Sequence, residues 1–124
     1  MAIDLAEYGK KNSIKYFMIS YTDLFGYQRA KLVPTQAIAD MQTDGAGFAG
    51  FASWLDLTPA HADMLAVPDA SSVIQLPWKK EVAWVAADCV MEDENVMQAP
   101  RNVLRSLIDQ AEAKGYHIKS GVEA

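Results

Sequence analysis

The chain has 124 residues, 51% hydrophobic and 22% charged, with a formal net charge of -5. That length and balance fit one compact domain with its own core and exclude both a disordered chain and two complete domains. The acidic balance argues against a nucleic-acid partner, since the densest basic pair, Lys79-Lys80, runs straight into Glu81.

Asp4 followed three residues later by Glu7 reads as a capping-box-like helix start, with Leu5, Tyr8 and Ile14 as apolar contacts and an end near Asn12. The same stretch, MAIDLAEYGKKN, lacks the basic and apolar regions of a signal peptide, and no apolar run approaches the length of a membrane span, so no membrane partner is expected. KYFMISYT, residues 15–22, has the β-branched and aromatic density of a strand. Asp23-Leu-Phe-Gly26 has turn chemistry, and QRAKLVP alternates Arg29 and Lys31 with Ala30 and Leu32 up to Pro34. A hairpin with one wet face is expected. TQAIADMQ suggests a short helix, with Ile38 and Met41 three apart.

GAGFAGFASWLDLTPAHADM, residues 45–64, then reads as a long loop. Loops of that length inside a compact domain are functional or disordered, and the aromatic residues argue for order. VPDASS reads as a turn, SVIQLPW as a short strand closed by Pro77, and EVAWVAADCVM as a longer, mostly apolar strand. Cys89 lies in that strand and reads as a buried thiol; as the sole cysteine it excludes an internal disulfide, and the cytoplasm is the expected compartment. MEDENVMQ is acidic and polar, a linker pattern. Pro100 then opens a helix with Val103, Leu104, Leu107, Ile108 and Ala111 on one stripe and Gly115 at its end. YHIKSGVE, residues 116–123, reads as a strand starting. This last helix and strand have little sequence left to cover their apolar face, so the expected organisation is one domain over 1–97 and the opening of a second over 98–124. Strand and helix patterns mix without βαβ alternation, which predicts an α+β fold with a mixed four-stranded sheet and one covering helix.

The chemistry-bearing residues are sparse. GAGFAG matches the spacing of a G-x-G-x-x-G phosphate turn, but a helix pattern precedes it and none follows, the reverse of a dinucleotide site. His61 with Asp63 is a loop pair short of the three or more convergent ligands that an ion needs, and a solvated histidine is the default. Glu92, Asp93 and Glu94 read as a solvated run, and Trp54, Trp78 and Trp84 as core or interface aromatics.

Four segments taken together carry a resemblance. YTDLFGYQRAKLVP, ADMLAVPDASS, LPW and APRNVLRSLIDQAEAKGYHIKSGVE resemble, in order and spacing, the D-x-x-G-x-x-R-x-K-x-V-P, S-D-M-x-L-x-P-D-x-S-T, P-W and PR-helix signatures of the N-terminal portion of the glutamine synthetase family. The resemblance implies a β-grasp-like N-terminal domain followed by the first helix and strand of the catalytic domain. It implies an ATP-dependent ligase joining glutamate to an amine through a γ-glutamyl phosphate, with Mg²⁺ or Mn²⁺ and ATP held mainly by the rest of the catalytic domain. It also implies a ring-shaped homo-oligomer, a dodecamer as the expected size, in which the loop reaches the neighbouring subunit's active site. Glu123 matches the first Glu of the family's G-x-E-x-E-F motif, a metal ligand there. Counting back from Asp63, which matches the Asp of S-D-M, sets Phe48 on the Phe and Ala49 on the Asp of the family's F-D-G-S-S loop, where that Asp helps bind ammonium. Asp56, near the family's loop Trp position beside Trp54, could supply an acid from another point. A missing anion and methyl-sized apolar contacts favour an alkylamine such as methylamine, as in the γ-glutamylmethylamide synthetases. Ammonia is the alternative, and a non-catalytic β-grasp interaction module a second one. The 124-residue chain alone is expected to be inactive.

Overall fold

A computed structural model describes residues 2–123. Helix α1 spans Leu5–Lys11 and opens as its sequence requires: the Asp4 carboxylate accepts the Glu7 N–H at 3.0 Å, and Lys10 and Lys11 occupy the last turn, where cations suit the helix dipole. Strands β1 (Tyr16–Thr22) and β2 (Gln28–Pro34) form the expected hairpin, with Tyr16 opposite Pro34 and Thr22 opposite Gln28. In β1 the alternate residues Phe17, Ile19 and Tyr21 are buried, whereas β2 buries only Val33. An antiparallel edge strand with one wet face produces that contrast.

Helix α2 (Ile38–Asp44) follows a single 3-10 turn and ends at Gly45, whose φ of 84° is open to glycine and costly to most other residues. Strand β3 (Ala46–Phe48) then pairs antiparallel with β4 (Met64–Pro68), and β4 pairs antiparallel with β6 (Val82–Met91). Short β5 (Ile74–Gln75) and β7 (Glu94–Asn95) also pair with β6. The sheet runs β2-β1-β6-β4-β3 and is mixed, because β1 and β6 are parallel. The architecture is α+β as expected; among the described residues the three α-helices match the three helix patterns in the sequence, and the sheet has seven strands where four were expected.

The differences have physical causes. Met64–Pro68 is a strand that the sequence concealed, since Pro68 and the following Asp69 look like turn residues; Pro68 ends the strand, where the missing N–H does least harm. SVIQLPW shrinks to two paired residues because Pro77 interrupts it. The expected linker 91–98 instead folds back as β7, with Glu92 and Asp93 at positive φ in the turn. The strand expected over 116–123 does not form. Its sequence has strand character, but no strand among the described residues pairs with it, and Tyr116, Ile118 and Val122 are exposed.

Helix α3 (Pro100–Glu112) is fastened by polar groups. Buried Asn102 donates from Nδ2 to the carbonyls of Cys89 at 2.7 Å and Val96 at 3.0 Å, satisfying acceptors at the end of β6. Arg101 donates from Nε to Asp88 at 2.8 Å and pairs with Asp69, and Arg105 reaches both carboxylates at 3.1 Å. Asp69 also accepts the Ser71 hydroxyl at 2.6 Å and the Ser71 N–H at 3.1 Å. The Ser71 donors, then Arg101 and Arg105, outweigh burial and hold the Asp69 carboxyl below its ordinary value. The apolar residues Val103, Leu104, Leu107 and Ile108 remain exposed.

A carboxyl with a lowered folded-state pKa stabilises above its unfolded value and loses that contribution as pH falls through the lowered one. Acidifying from neutrality to below about pH 3 should therefore loosen α3, ordinary Asp titrating near 3.9. Arg101→Met should cost about 1–2 kcal/mol at pH 7, the range for partly exposed hydrogen bonds to charged groups, and should lose less on acidification than the parent. Thermal melts of parent and variant at pH 7 and pH 3 check both.

Candidate functional site

Residues 45–63 are tied to the rest of the fold at several points. Leu55 is completely buried in the main core, and its carbonyl accepts Gln98 Nε2 at 2.8 Å. Ser53 is also buried: its hydroxyl donates to the Gly50 carbonyl at 2.6 Å, and its own carbonyl accepts the Tyr21 hydroxyl at 2.9 Å. Burial, then the nearby Cys89 and Asp23 against the opposing Arg29, pushes the Tyr21 hydroxyl pKa up to about 12, so it stays a donor. Gly50 is needed by space, since a Cβ there would lie 2.6 Å from the Ala62 carbonyl oxygen.

The loop rests on the tip of the β1–β2 hairpin. Asp23 is fully buried and accepts three N–H groups: Phe25 at 2.8 Å, Tyr27 at 3.0 Å and Arg29 Nε at 2.7 Å. Burial pulls its pKa upward, but the Arg29 bond and the two backbone N–H bonds outweigh that and hold the carboxyl below its ordinary value. Phe25 meets Trp54 edge-to-face at 5.3 Å, the Arg29 guanidinium lies 5.3 Å from the Trp54 ring centroid, and the Leu24 N–H donates to the Trp54 carbonyl at 3.2 Å. Two residues along β2 from Arg29, Lys31 donates to the Gly47 carbonyl and stands 4.9 Å over the Phe48 ring, which meets Tyr21 edge-to-face at 5.0 Å.

The structure gathers part of the expected site. Ala49 is exposed between the packed Phe48 and the buried Gly50, and its carbonyl accepts the Ala52 N–H at 3.0 Å. Trp54 is 53% exposed. Trp54 and Asp56 both have left-handed backbone, φ 59° and 58°, a conformation that Asp adopts fairly readily and that costs a bulky residue such as Trp54 on the order of 1–2 kcal/mol. Strain of that kind persists only where neighbours enforce it, and it concentrates at functional segments. Asp56, His61 and Asp63 are exposed, and His61 Nδ1 accepts the Thr58 N–H at 2.9 Å, a loop histidine as expected. Glu123 lies in the exposed strand-less tail, and among the described residues no three His, Cys, Asp or Glu side chains converge as a metal site.

Other stretches that the sequence singled out also find their places. GAGFAG is a strand and a 3-10 turn following α2, not a phosphate cradle. Burial and then Asp88 raise the Cys89 thiol to about 12, which removes it as a nucleophile. Trp78 is 81% exposed, Trp84 is half-buried, and none of the three Trp residues belongs to the buried core. The groups beneath the loop that sequence reasoning missed are Asp23 and Arg29, whose turn and strand positions concealed an ion pair between a fully buried carboxylate and a partly exposed guanidinium. A cavity of about 550 Å³ beside α3, framed by Asp88, Asn102, Arg105 and Asp109, shares no residue with the loop. The loop is an exposed wall rather than a pocket.

No family model matches the chain. It is 72% identical over 123 residues to the glutamine synthetase of Rhizobium leguminosarum bv. phaseoli, covering 99% of this chain and 28% of that protein. It is 36% identical over 116 residues to the glutamate–methylamine ligase of Methyloversatilis universalis, covering 92% of this chain and 26% of that protein. The solved structure described as "GmaS/ADP complex-Conformation 1" superimposes with a TM-score of 0.88 at 56% identity, over 90% of this chain and 26% of that one. The fold is thus a mixed-sheet α+β domain shared with GmaS. The chain belongs to the glutamine synthetase family and spans little more than a quarter of the length of these relatives, 28% and 26%.

Gly50→Ala should force the loop away from Ala62, at a cost of about 1–3 kcal/mol for overpacking. A lowered melting temperature together with greater solvent exposure of Trp54 fluorescence is the expected result.

Proposed function

We propose that this chain is the β-grasp-like N-terminal part, residues 1–97, and the opening of the catalytic domain, residues 98–124, of an ATP-dependent glutamate–amine ligase whose amine is methylamine. In the reaction the glutamate γ-carboxylate attacks the γ-phosphorus of ATP, releasing ADP and forming γ-glutamyl phosphate. The amine nitrogen then attacks the acyl carbon, phosphate leaves, and a proton passes from nitrogen to a base. The exposed apolar stripe on α3 supports a continuing domain, because a helix face of that kind is normally covered. The resemblance to a GmaS–ADP complex supports use of ATP. Glu123 would be one carboxylate of a Mg²⁺ or Mn²⁺ set completed by residues outside this chain, oxygen donors being suited to either ion. The loop with Ala49, Trp54, Asp56 and Asp63 would form one wall of the neighbouring subunit's amine site in a ring of copies, a dodecamer by family resemblance, working in the cytoplasm.

The observation that carries the choice of amine is Ala49: a methyl group is presented at the surface of a rigid loop, at the point where the family resemblance places a carboxylate. Without that anion an ammonium ion is held less strongly, and each buried methyl of an alkylamine gains about 0.8 kcal/mol. The glutamate–methylamine ligase at 36% identity supports this reading. The 72% identical relative is named glutamine synthetase and supports ammonia as the second reading.

The test is phosphate release by the full-length enzyme with glutamate, ATP and a panel of amines. Methylamine should exceed ammonia in kcat/KM, and Ala49→Asp should shift the preference toward ammonia about tenfold, the equivalent of roughly 1.4 kcal/mol. Ala49 precedes a 3-10 turn at a position where Asp is a good cap, so the variant is expected to fold. Ammonia turnover equal to or better than methylamine turnover in the parent overturns the methylamine reading.

A further inference from the structure

Trp54 is half-exposed and has a left-handed backbone, so neither burial nor backbone preference fixes its ring. Its two ring partners are Phe25 at one edge and Arg29 over a face, both at 5.3 Å. Both partners are set by the same carboxylate: Asp23 Oδ1 accepts the Phe25 N–H at 2.8 Å, and Asp23 Oδ2 accepts Arg29 Nε at 2.7 Å. Arg29 is thus committed through Nε while its guanidinium carbon lies over the indole, a combination that a lysine ammonium reproduces only in part. The Leu24 N–H adds a backbone tie to the Trp54 carbonyl at 3.2 Å from the same turn.

We infer that Arg29, held by Asp23, is a positioning residue for the amine loop: it fixes the Trp54 indole, and with it the surface from Ala49 to Asp56 that an incoming amine meets. The inference rests on the loop's proposed role at the amine site. Arg29 itself touches no substrate; it acts through Trp54. Its loss changes how well the amine is received more than how fast the bound acyl phosphate reacts, so the effect falls on the amine KM.

The test uses the full-length enzyme with Trp78→Phe and Trp84→Phe, so that among the Trp residues of this segment Trp54 alone is changed in surroundings, with remaining Trp residues subtracted through a Trp54→Phe control. Arg29→Gln should raise acrylamide quenching of Trp54 measurably and raise the methylamine KM about threefold, as for loss of one partly exposed cation–π contact, with kcat and glutamate KM little changed. Arg29→Lys keeps the charge and should restore part of both effects; it also carries the test if the Gln variant melts early. Unchanged Trp54 quenching in both folded variants overturns the inference. Increased quenching with every amine KM unchanged keeps Arg29 as the group that positions Trp54 and overturns the assignment of the loop to the amine.

Discussion

The fold depends on strand β6 having partners along both edges. A ten-residue, mostly apolar strand has N–H and C=O groups pointing both ways, and leaving them unpaired in the interior would cost more than its side chains gain. Parallel β1 and short β7 satisfy one edge, and β5 and β4 the other. The far end still leaves the Cys89 and Val96 carbonyls with acceptor capacity, and Asn102 at the start of α3 supplies donors. Docking of α3 is thus part of completing the sheet, while most of its length remains free to face something else.

The family-like signatures become intelligible as parts of this construction. The Asp and Arg of YTDLFGYQRAKLVP are an ion pair, its carboxylate fully buried and its guanidinium partly exposed, that closes the hairpin turn and lies over the Trp54 ring of the loop. The Asp and Ser residues of VPDASS form a capped turn: Ser72 Oγ accepts the Ala86 N–H of β6 at 2.9 Å, and Asp69 receives both arginines of α3. The Arg of the PR helix is the other half of that cluster. The resemblance was assembled from four separated segments; three of them hold the site and the helix in place.

What was legible in the sequence follows from the range of the forces involved. The first helix cap, the β1–β2 hairpin, β6, α3 and its exposed stripe are specified within a few residues, by Asp4, by the turn after Asp23, by unbroken apolar character and by Pro100. Strand β4 is hidden because its last paired residue, Pro68, and the Asp69 that follows it carry a turn signal. The tail 116–123 carried a strand pattern without a partner, and a pattern does not supply one. In the site, Ala49 and Trp54 could be located by counting along the chain, but Asp23 and Arg29 acquire meaning only when the hairpin tip meets the loop, roughly 30 residues away in sequence, as long-range pairs generally do.

The shape of the loop argues for a second body. A complete small-molecule site is concave and encloses its ligand, whereas this loop presents Phe51, Trp54 and the Ala49 methyl outward on a frame anchored by Leu55, Ser53 and Arg29. Ordering a loop costs conformational entropy, which Leu55 and Ser53 offset by burial while the outward Phe51, Trp54 and Ala49 return little packing of their own. Such ordering is economical where the loop must hold one geometry while another surface closes over it, because the entropy is then spent on folding and not on each encounter. The left-handed backbone at Trp54 fits the same proposal: a disfavoured conformation is kept where it holds the indole outward on the loop.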